Sequence, residues 1–304
     1  MELLYLLEDI RVPGVNEFML LITQLGEETA FLVVALVMFW CVDKRRGYYI
    51  LTVGFLGTLA NQFLKLLFRV PRPWIKDPEF TILEQAREAA SGYSFPSGHT
   101  QSAVGTFGAI AHTEKNKLIR AICIVVAAAV PFSRMYIGVH TPMDVFVSVG
   151  IALALIFVFK KIIIDNFEKA MPYVLSGMVL AGIAYLLYVE LAPFPEDVDI
   201  HNLLSGKKNA YTLLGAVLGM CIVYIADEKW LNFSVKAVWW AQVCKVALGL
   251  GVVLIVKSGL KEPLNFLMGE SAGRAARYFL MVVVAGVVWP LSFKWFSKLG
   301  NKVR

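Results

Sequence analysis

Residues 143–164 read MDVFVSVGIALALIFVFKKIII. The stretch opens beside a carboxylate, Asp144, runs through an apolar segment and closes around Lys160 and Lys161. A helix needs roughly 20 mostly apolar residues to cross a bilayer, and apolar runs bounded by basic residues are the usual signature of a span. The segment therefore predicts a transmembrane helix. Working outward by the same criterion gives further candidate spans at 18–42, 48–69, 99–114, 118–134, 172–190, 210–226, 236–256 and 277–297. The predicted fold is all-α, a polytopic transmembrane helical bundle of about nine spans. Glu27 and Glu28 interrupt the first of these, so its early part is expected to lie at the interface or against protein.

The composition agrees with a membrane protein. The 304 residues are 58% hydrophobic and 17% charged, with a mean hydropathy of +0.65. A soluble domain carries about 25% charged residues. The net charge of +6 does not point to a nucleic-acid partner, because the basic residues cluster between apolar runs, where they set orientation. In a nine-span chain, fifteen basic residues, among them Lys44, Arg45, Arg46, Lys302 and Arg304, fall on one side. Ten fall on the other, besides the motif residues below, together with the acidic stretch Glu190 to Asp199. The first side is expected to be cytoplasmic. Cys41, Cys123, Cys221 and Cys244 lie in or at the ends of apolar segments with no CxxC or ligand spacing. They read as packing residues, and no metal or cofactor is expected.

The N-terminus lacks a basic region of the kind that opens a cleavable signal. Leu3, Leu6, Leu7 and Ile10 share one helical face before Pro13-Gly14, which predicts an amphipathic helix on the membrane surface over residues 1–17. Residues 74–95 and 191–209 are polar connections. In the first, Thr81-Ile-Leu-Glu84 has the capping-box pattern and predicts a helix that Gly92 stops. Gly215 and Gly219 form a GxxxG, read as close helix packing.

Charged residues near spans are expensive and tend to be functional. Three clusters stand out: Lys65 with Arg72-Pro73, Pro96-Ser97-Gly98-His99, and Ser133-Arg134 with His140 and Asp144. In the nine-span topology all three fall at non-cytoplasmic helix ends and can meet. Lys65, Arg72 and Arg134 bring three positive charges without soft metal ligands, which suits a phosphate dianion. Ser97-Gly98 opens a helix, and Thr141-Pro142 reads as a cap followed by a first-turn proline, so helix N-termini add donors for an anion. Binding alone does not require two histidines and a carboxylate, whereas hydrolysis does. His140 can attack phosphorus if Asp144 holds its other ring nitrogen, and His99 can protonate the leaving oxygen and then activate water.

Isolated basic residues at span ends ordinarily snorkel to headgroups, and Arg69, Lys257 and Arg277 are read that way. His112 and His201 have no polar company and are read as ordinary residues. Lys245, near Gln242 inside a span, reads as a buried residue with a polar partner.

Lys65-x6-Arg72-Pro73, Pro96-Ser97-Gly98-His99 and Ser133-Arg134-x5-His140-x3-Asp144 resemble the three signature motifs of the type 2 phosphatidic acid phosphatase family. No signature position departs from the pattern. The resemblance implies a metal-independent membrane phosphatase with His140 as nucleophile, Asp144 supporting it and His99 as general acid. It implies phosphate binding by Lys65, Arg72, Ser97, Gly98 and Arg134. The soluble vanadium haloperoxidases share the motifs, and the spans here argue against that branch. The expected organisation is an interfacial helix at 1–17, a catalytic membrane core at 18–170, and additional spans at 171–304, the first completing a six-helix core. The expected reaction is hydrolysis of a lipid phosphate monoester, such as phosphatidic acid or a sphingoid phosphate, with the active site on the non-cytoplasmic side of the plasma membrane. The alternatives are a polyprenyl diphosphate phosphatase, a sugar-phosphate phosphatase and, in another class, a phosphate- or lipid-recognising transporter.

Overall fold

A computed structural model of the chain describes residues 1–90, 92–196 and 198–299. Lys302, Arg304 and Asp197, which entered the charge count, lie outside the described residues. Among the described residues every regular element is helical. The chain divides into two compact units.

The first unit comprises Met1–Ala35, Tyr49–Asp165 and Phe194–Gly206. It begins with α1 (Glu2–Asp9) and α2 (Pro13–Gln24). Pro13 does not merely end the first helix. It starts the second at its first turn, where a missing N–H has no consequence. Leu4 and Leu7 turn inward, onto Phe80 and Ile82 and onto Ala86, Ala90 and Tyr136 respectively. Leu3, Leu6 and Ile10 remain exposed. The expected apolar face is therefore split into an inward and an outward stripe. The chain then bends by 54° between α2 and the run Glu28–Val42, whose first part is α3 (Glu28–Val37). The bend falls at the Glu27-Glu28 interruption.

α4 (Lys44–Phe68) carries Lys65 in its last turn, and the single turn α5 (Pro73–Lys76) follows with Arg72 as its cap. Residues 81–90 do not form the expected helix. They make two 3-10 turns, Glu84–Ala86 and Glu88–Ala90. The Thr81 N–H donates to the Glu8 carboxylate at 3.1 Å, and the Thr81 hydroxyl donates to the same carboxylate. Thr81 is thus unavailable as a cap. α6 (Gly98–Ala103), a π turn (Val104–Gly108) and α7 (Ala109–Thr113) form one helical run. α8 (Lys117–Tyr136) is capped by Asn116, whose side chain accepts from Leu118 N and Ile119 N. α9 (Pro142–Phe159) starts on a capping box in which Thr141 accepts from Asp144 N and Asp144 accepts from Thr141 N. α6 packs against both α8 and α9.

The second unit comprises Leu36–Tyr48, Asn166–Pro193 and the chain from Lys207 onward. It holds α10 (Asp165–Leu191) from Asn166 on, α11 (Ile200–Ala226) from Lys207 on, α12 (Trp239–Gly259), α13 (Lys261–Val283) and the single turn α14 (Phe293–Phe296). The GxxxG has the packing role expected of it. A Cβ at Gly219 would lie 2.8 Å from Val282 Cβ, and one at Gly215 would overlap the Ala275 backbone. Lys245 is fully buried and donates to Trp40 O at 2.9 Å and Val235 O at 3.2 Å, with its ammonium 4.4 Å from the Phe293 ring. Gln242 also donates to Val235 O, at 2.7 Å. Arg277 is buried, at 6% exposure, and does not extend outward as expected. Its guanidinium lies 5.6 Å from the Tyr278 ring.

Among the described residues six helical runs are long and apolar enough to cross a membrane, and the bent pair would make a seventh. The count of about nine is not reached when each unbroken run is taken as one span. The run at 98–113 has 16 residues, about 24 Å at a 1.5 Å rise, short of a hydrocarbon core of about 30 Å. The segments at 143–164 and 172–190 fall in two helices, α9 with its following π turn and α10, which meet at the non-helical dihedrals of Asn166. Their 50 residues, about 75 Å at a 1.5 Å rise, exceed one span.

Candidate active site

All the motif residues lie in the first unit, and the fold places them at helix ends. Lys65 closes α4, Arg72 caps α5, Ser97 caps α6, Arg134 closes α8 and Asp144 occupies the first turn of α9. His140 sits in the turn between α8 and α9. Gly98 and His99 are the first two residues of α6.

The two ring nitrogens of His140 have different surroundings. Nε2 is 3.0 Å from Nη1 of Arg72. Nδ1 is 3.5 Å from Oδ2 of Asp144. His140, Asp144 and Arg72 are all nearly inaccessible, at 1%, 1% and 4% exposure. The same Asp144 oxygen accepts from Ser94 Oγ at 2.5 Å and from Thr141 N at 2.7 Å. Burial pushes the His140 pKa well below its ordinary value, and Arg72, Arg134, Lys65 and His99 add to the shift in that order. Groups from all three motifs thus act on one imidazole.

Arg72 is held by two further bonds, from Nε to Gly92 O at 2.9 Å and from Nη1 to Val139 O at 2.9 Å. Lys65 donates to Tyr93 O. Arg134, 1% exposed, donates from Nη1 to Thr23 Oγ1 at 2.7 Å. The backbone of motif two is tied to motif three: Ser97 N donates to Asp144 O at 3.1 Å. Ser148 Oγ lies 2.9 Å from both Ser97 O and Asp144 O. His99 Nε2 is buried without a hydrogen-bond partner among the described residues. Ser133, whose part in the motif had no assigned chemistry, donates to Val130 O at 2.7 Å within its own helix.

Residues outside the motifs complete this arrangement. Ser94, Ser148 and Thr23 are small hydroxyl residues of a kind common everywhere, so nothing in their spacing marks them. Gly138 adopts φ +88, and a Cβ there would sit 2.8 Å from Arg11 Nη2 and 3.0 Å from Phe80. It lets the chain turn from Arg134 back to His140. Gly26, at the bend after α2, lies against the His99 backbone, where a Cβ would be 2.8 Å from His99 O. Arg11 donates to Tyr136 O at 3.0 Å and to Thr81 O at 2.9 Å, joining the N-terminal segment to this turn.

Chemically, the arrangement offers an imidazole held between a carboxylate and a guanidinium, a second imidazole with a free nitrogen, and two more cations. Among the described residues no group of three or more His, Cys, Asp or Glu side chains is arranged to hold a metal ion.

Comparison with known proteins agrees with this chemistry. The model of the PAP2 superfamily matches residues 45–168. A second model, the transmembrane extension of PAP2 superfamily phosphatases, matches residues 211–302. The chain is similar to phosphatidylglycerophosphatase B of Bacillus subtilis, with 31% identity over 166 residues, covering 50% of this chain and 76% of that protein. It is similar to a probable sphingosine-1-phosphate phosphatase of Dictyostelium discoideum, with 30% identity over 170 residues, covering 52% of this chain but 39% of that protein. It also matches undecaprenyl-diphosphatase BcrC of Bacillus subtilis, with 29% identity over 133 residues, covering 43% of this chain and 66% of that protein. No solved structure gives a significant match.

Proposed function

This chain belongs to the PAP2 superfamily, and we propose that it is a metal-independent membrane phosphatase that hydrolyses a lipid phosphate monoester through a phosphohistidine. The observation that carries the reading is the line Asp144–His140–Arg72. Asp144 lies behind Nδ1, while Nε2 faces a guanidinium of the kind that matches phosphate oxygens.

In this mechanism Arg72, Arg134 and Lys65 neutralise the phosphoryl oxygens, and Ser97 and Gly98 contribute the start of a helical run. His140 Nε2 attacks phosphorus while the ester P–O bond breaks. His99 gives its proton to the departing alkoxide. In the second step His99 takes a proton from water, the water oxygen bonds to phosphorus, the P–N bond breaks and inorganic phosphate leaves. Asp144 fixes the imidazole orientation and stabilises the positive charge that develops on it.

A lipid substrate is supported by a site at the ends of apolar helices and by the relatives named as sphingosine-1-phosphate and phosphatidylglycerol-phosphate phosphatases. This reading places the active site on the non-cytoplasmic side of the plasma membrane, the side that carries fewer basic residues when the chain is counted with nine spans. The exposed Leu3, Leu6 and Ile10 support an interfacial role for the N-terminal helix over residues 1–17. Residues 18–170 form the catalytic core in this reading, and 171–304 extend it.

A second reading, hydrolysis of a polyprenyl diphosphate, is favoured by the similarity to the undecaprenyl-diphosphatase. The test is phosphate release by purified protein in EDTA, measured on phosphatidic acid, a sphingoid phosphate and a polyprenyl diphosphate. The reading predicts the highest kcat/KM on a lipid monophosphate and inhibition by vanadate. A preference for the diphosphate would favour the second reading, and a strict requirement for added metal would contradict both.

A further inference from the structure

The mechanism above leaves a buried amide beside the site without a task. Asn61 lies on α4, one helical turn before Lys65, within the apolar stretch 50–68. It is 2% exposed. Neither Oδ1 nor Nδ2 has a hydrogen-bond partner among the described residues. Buried amides with no partner are costly, and more so among apolar helices, where a leucine would pack without penalty.

The position of this amide narrows what it could serve. Its Oδ1 lies 3.8 Å from the point where a Cβ on Gly98 would stand. It therefore abuts the start of the helical run that carries His99, whose Nε2 is also buried and unpartnered. One turn further along both helices, Gln101 lies against Gly57, where any side chain would overlap the Gln101 amide. Gln101 is 4% exposed, and both of its amide ends lack partners among the described residues. Two facing helices thus bring together two amides with four unused hydrogen-bonding groups.

A phosphate dianion offers only acceptors, so it could not satisfy an amide oxygen. Water offers donors and acceptors together. The second half of the reaction needs a water on the face of phosphorus that the leaving oxygen has vacated, which is the face His99 serves. We propose that Asn61, supported by Gln101, seats the water that hydrolyses the phosphohistidine. This inference rests on the phosphohistidine reading. One water O–H donates to Asn61 Oδ1. The other proton passes to His99 as the water oxygen bonds to phosphorus, the P–N bond to His140 breaks and phosphate departs. The first half-reaction uses no water and does not need Asn61.

The test separates the two half-reactions in the full-length protein, with p-nitrophenyl phosphate as the probe in rapid-quench experiments. Asn61→Leu is expected to release a burst of about one p-nitrophenol per active site at a rate within about threefold of wild type. Steady-state turnover then falls by about 30-fold or more, and phosphoenzyme accumulates. Gln101→Leu is expected to shift the same ratio in the same direction by a smaller factor. Because burst and steady state are compared per active site, a loss of folded protein cancels. An Asn61→Leu enzyme with no burst, or with both steps slowed by one common factor, overturns the proposal. Absence of any His140-dependent phosphoenzyme in wild type would overturn the underlying reading instead, and that is a separate measurement.

Discussion

Oδ2 of Asp144 stands 3.5 Å from Nδ1 of His140 while accepting closer hydrogen bonds from Ser94 Oγ and Thr141 N. The carboxylate is therefore positioned by two groups before it acts on the imidazole. It also belongs to the capping box that starts α9, so a local helix signal and the placement beside His140 use the same side chain.

That sharing predicts a graded series. Ser94→Ala removes one donor but leaves the cap, and kcat should fall by about tenfold with the melting temperature nearly unchanged. Asp144→Asn removes the charge that would stabilise a developing imidazolium, and kcat should fall by about 10²- to 10⁴-fold. Steady-state kinetics with circular dichroism on both variants checks this. Equal losses in the two, or a loss only in stability, would contradict the assigned order.

Arg72 makes three contacts with one planar group, to Gly92 O, Val139 O and His140 Nε2. A lysine cannot reproduce that fork. Arg72→Lys should lower kcat/KM by about 10- to 100-fold although the charge is kept, a loss of the size expected for charge-assisted hydrogen bonds. Near-normal kinetics in this variant would mean that charge alone suffices.

The pH dependence follows from the burial and cationic surroundings of His140. Both lower its pKa, so the neutral, nucleophilic form persists below the ordinary range of about 6.5. Removing a nearby cation raises that pKa again. In Arg72→Gln the acid limb of kcat/KM should therefore move to higher pH than in wild type on the same substrate. A limb that stays in place or moves lower would contradict this.

Gly138 can be tested by stability. Its left-handed φ and the nearness of Arg11 and Phe80 leave no place for a side chain. Gly138→Ala should destabilise the first unit by about 1–3 kcal/mol, read as a fall in thermal midpoint. The lysine in the second unit makes a contrasting case. Lys245→Met should leave turnover per folded enzyme unchanged while the carbonyls of Trp40 and Val235 lose their donor, at a cost of about 1–3 kcal/mol.

The motif residues were legible in the sequence because charge inside an apolar chain is expensive, so Lys65, Arg72, Arg134, His99, His140 and Asp144 stand out wherever they fall. Their helix-end positions were legible for the same reason that Thr141-Pro142 and Ser97 read as caps. The supporting groups were not. Ser94, Ser148 and Thr23 acquire meaning only from partners far along the chain, and Asn61 looks like one polar residue in a long span. The segment from Thr81 misled because its capping signal is local, while the Glu8 carboxylate that takes its hydroxyl comes from 73 residues away. The segment at 99–114 read as a full span because apolar content does not show that its helical run has only 16 residues.

The central claim is that His140 carries the phosphoryl group. The most direct measurement is to mix the protein with a lipid monophosphate labelled in its phosphate, quench it in denaturant within milliseconds, and locate the label. The account predicts an acid-labile, base-stable phosphoenzyme mapped to His140 in wild type and absent in His140→Asn, with turnover lost in that variant. Label on another residue, or full turnover in His140→Asn, would contradict it.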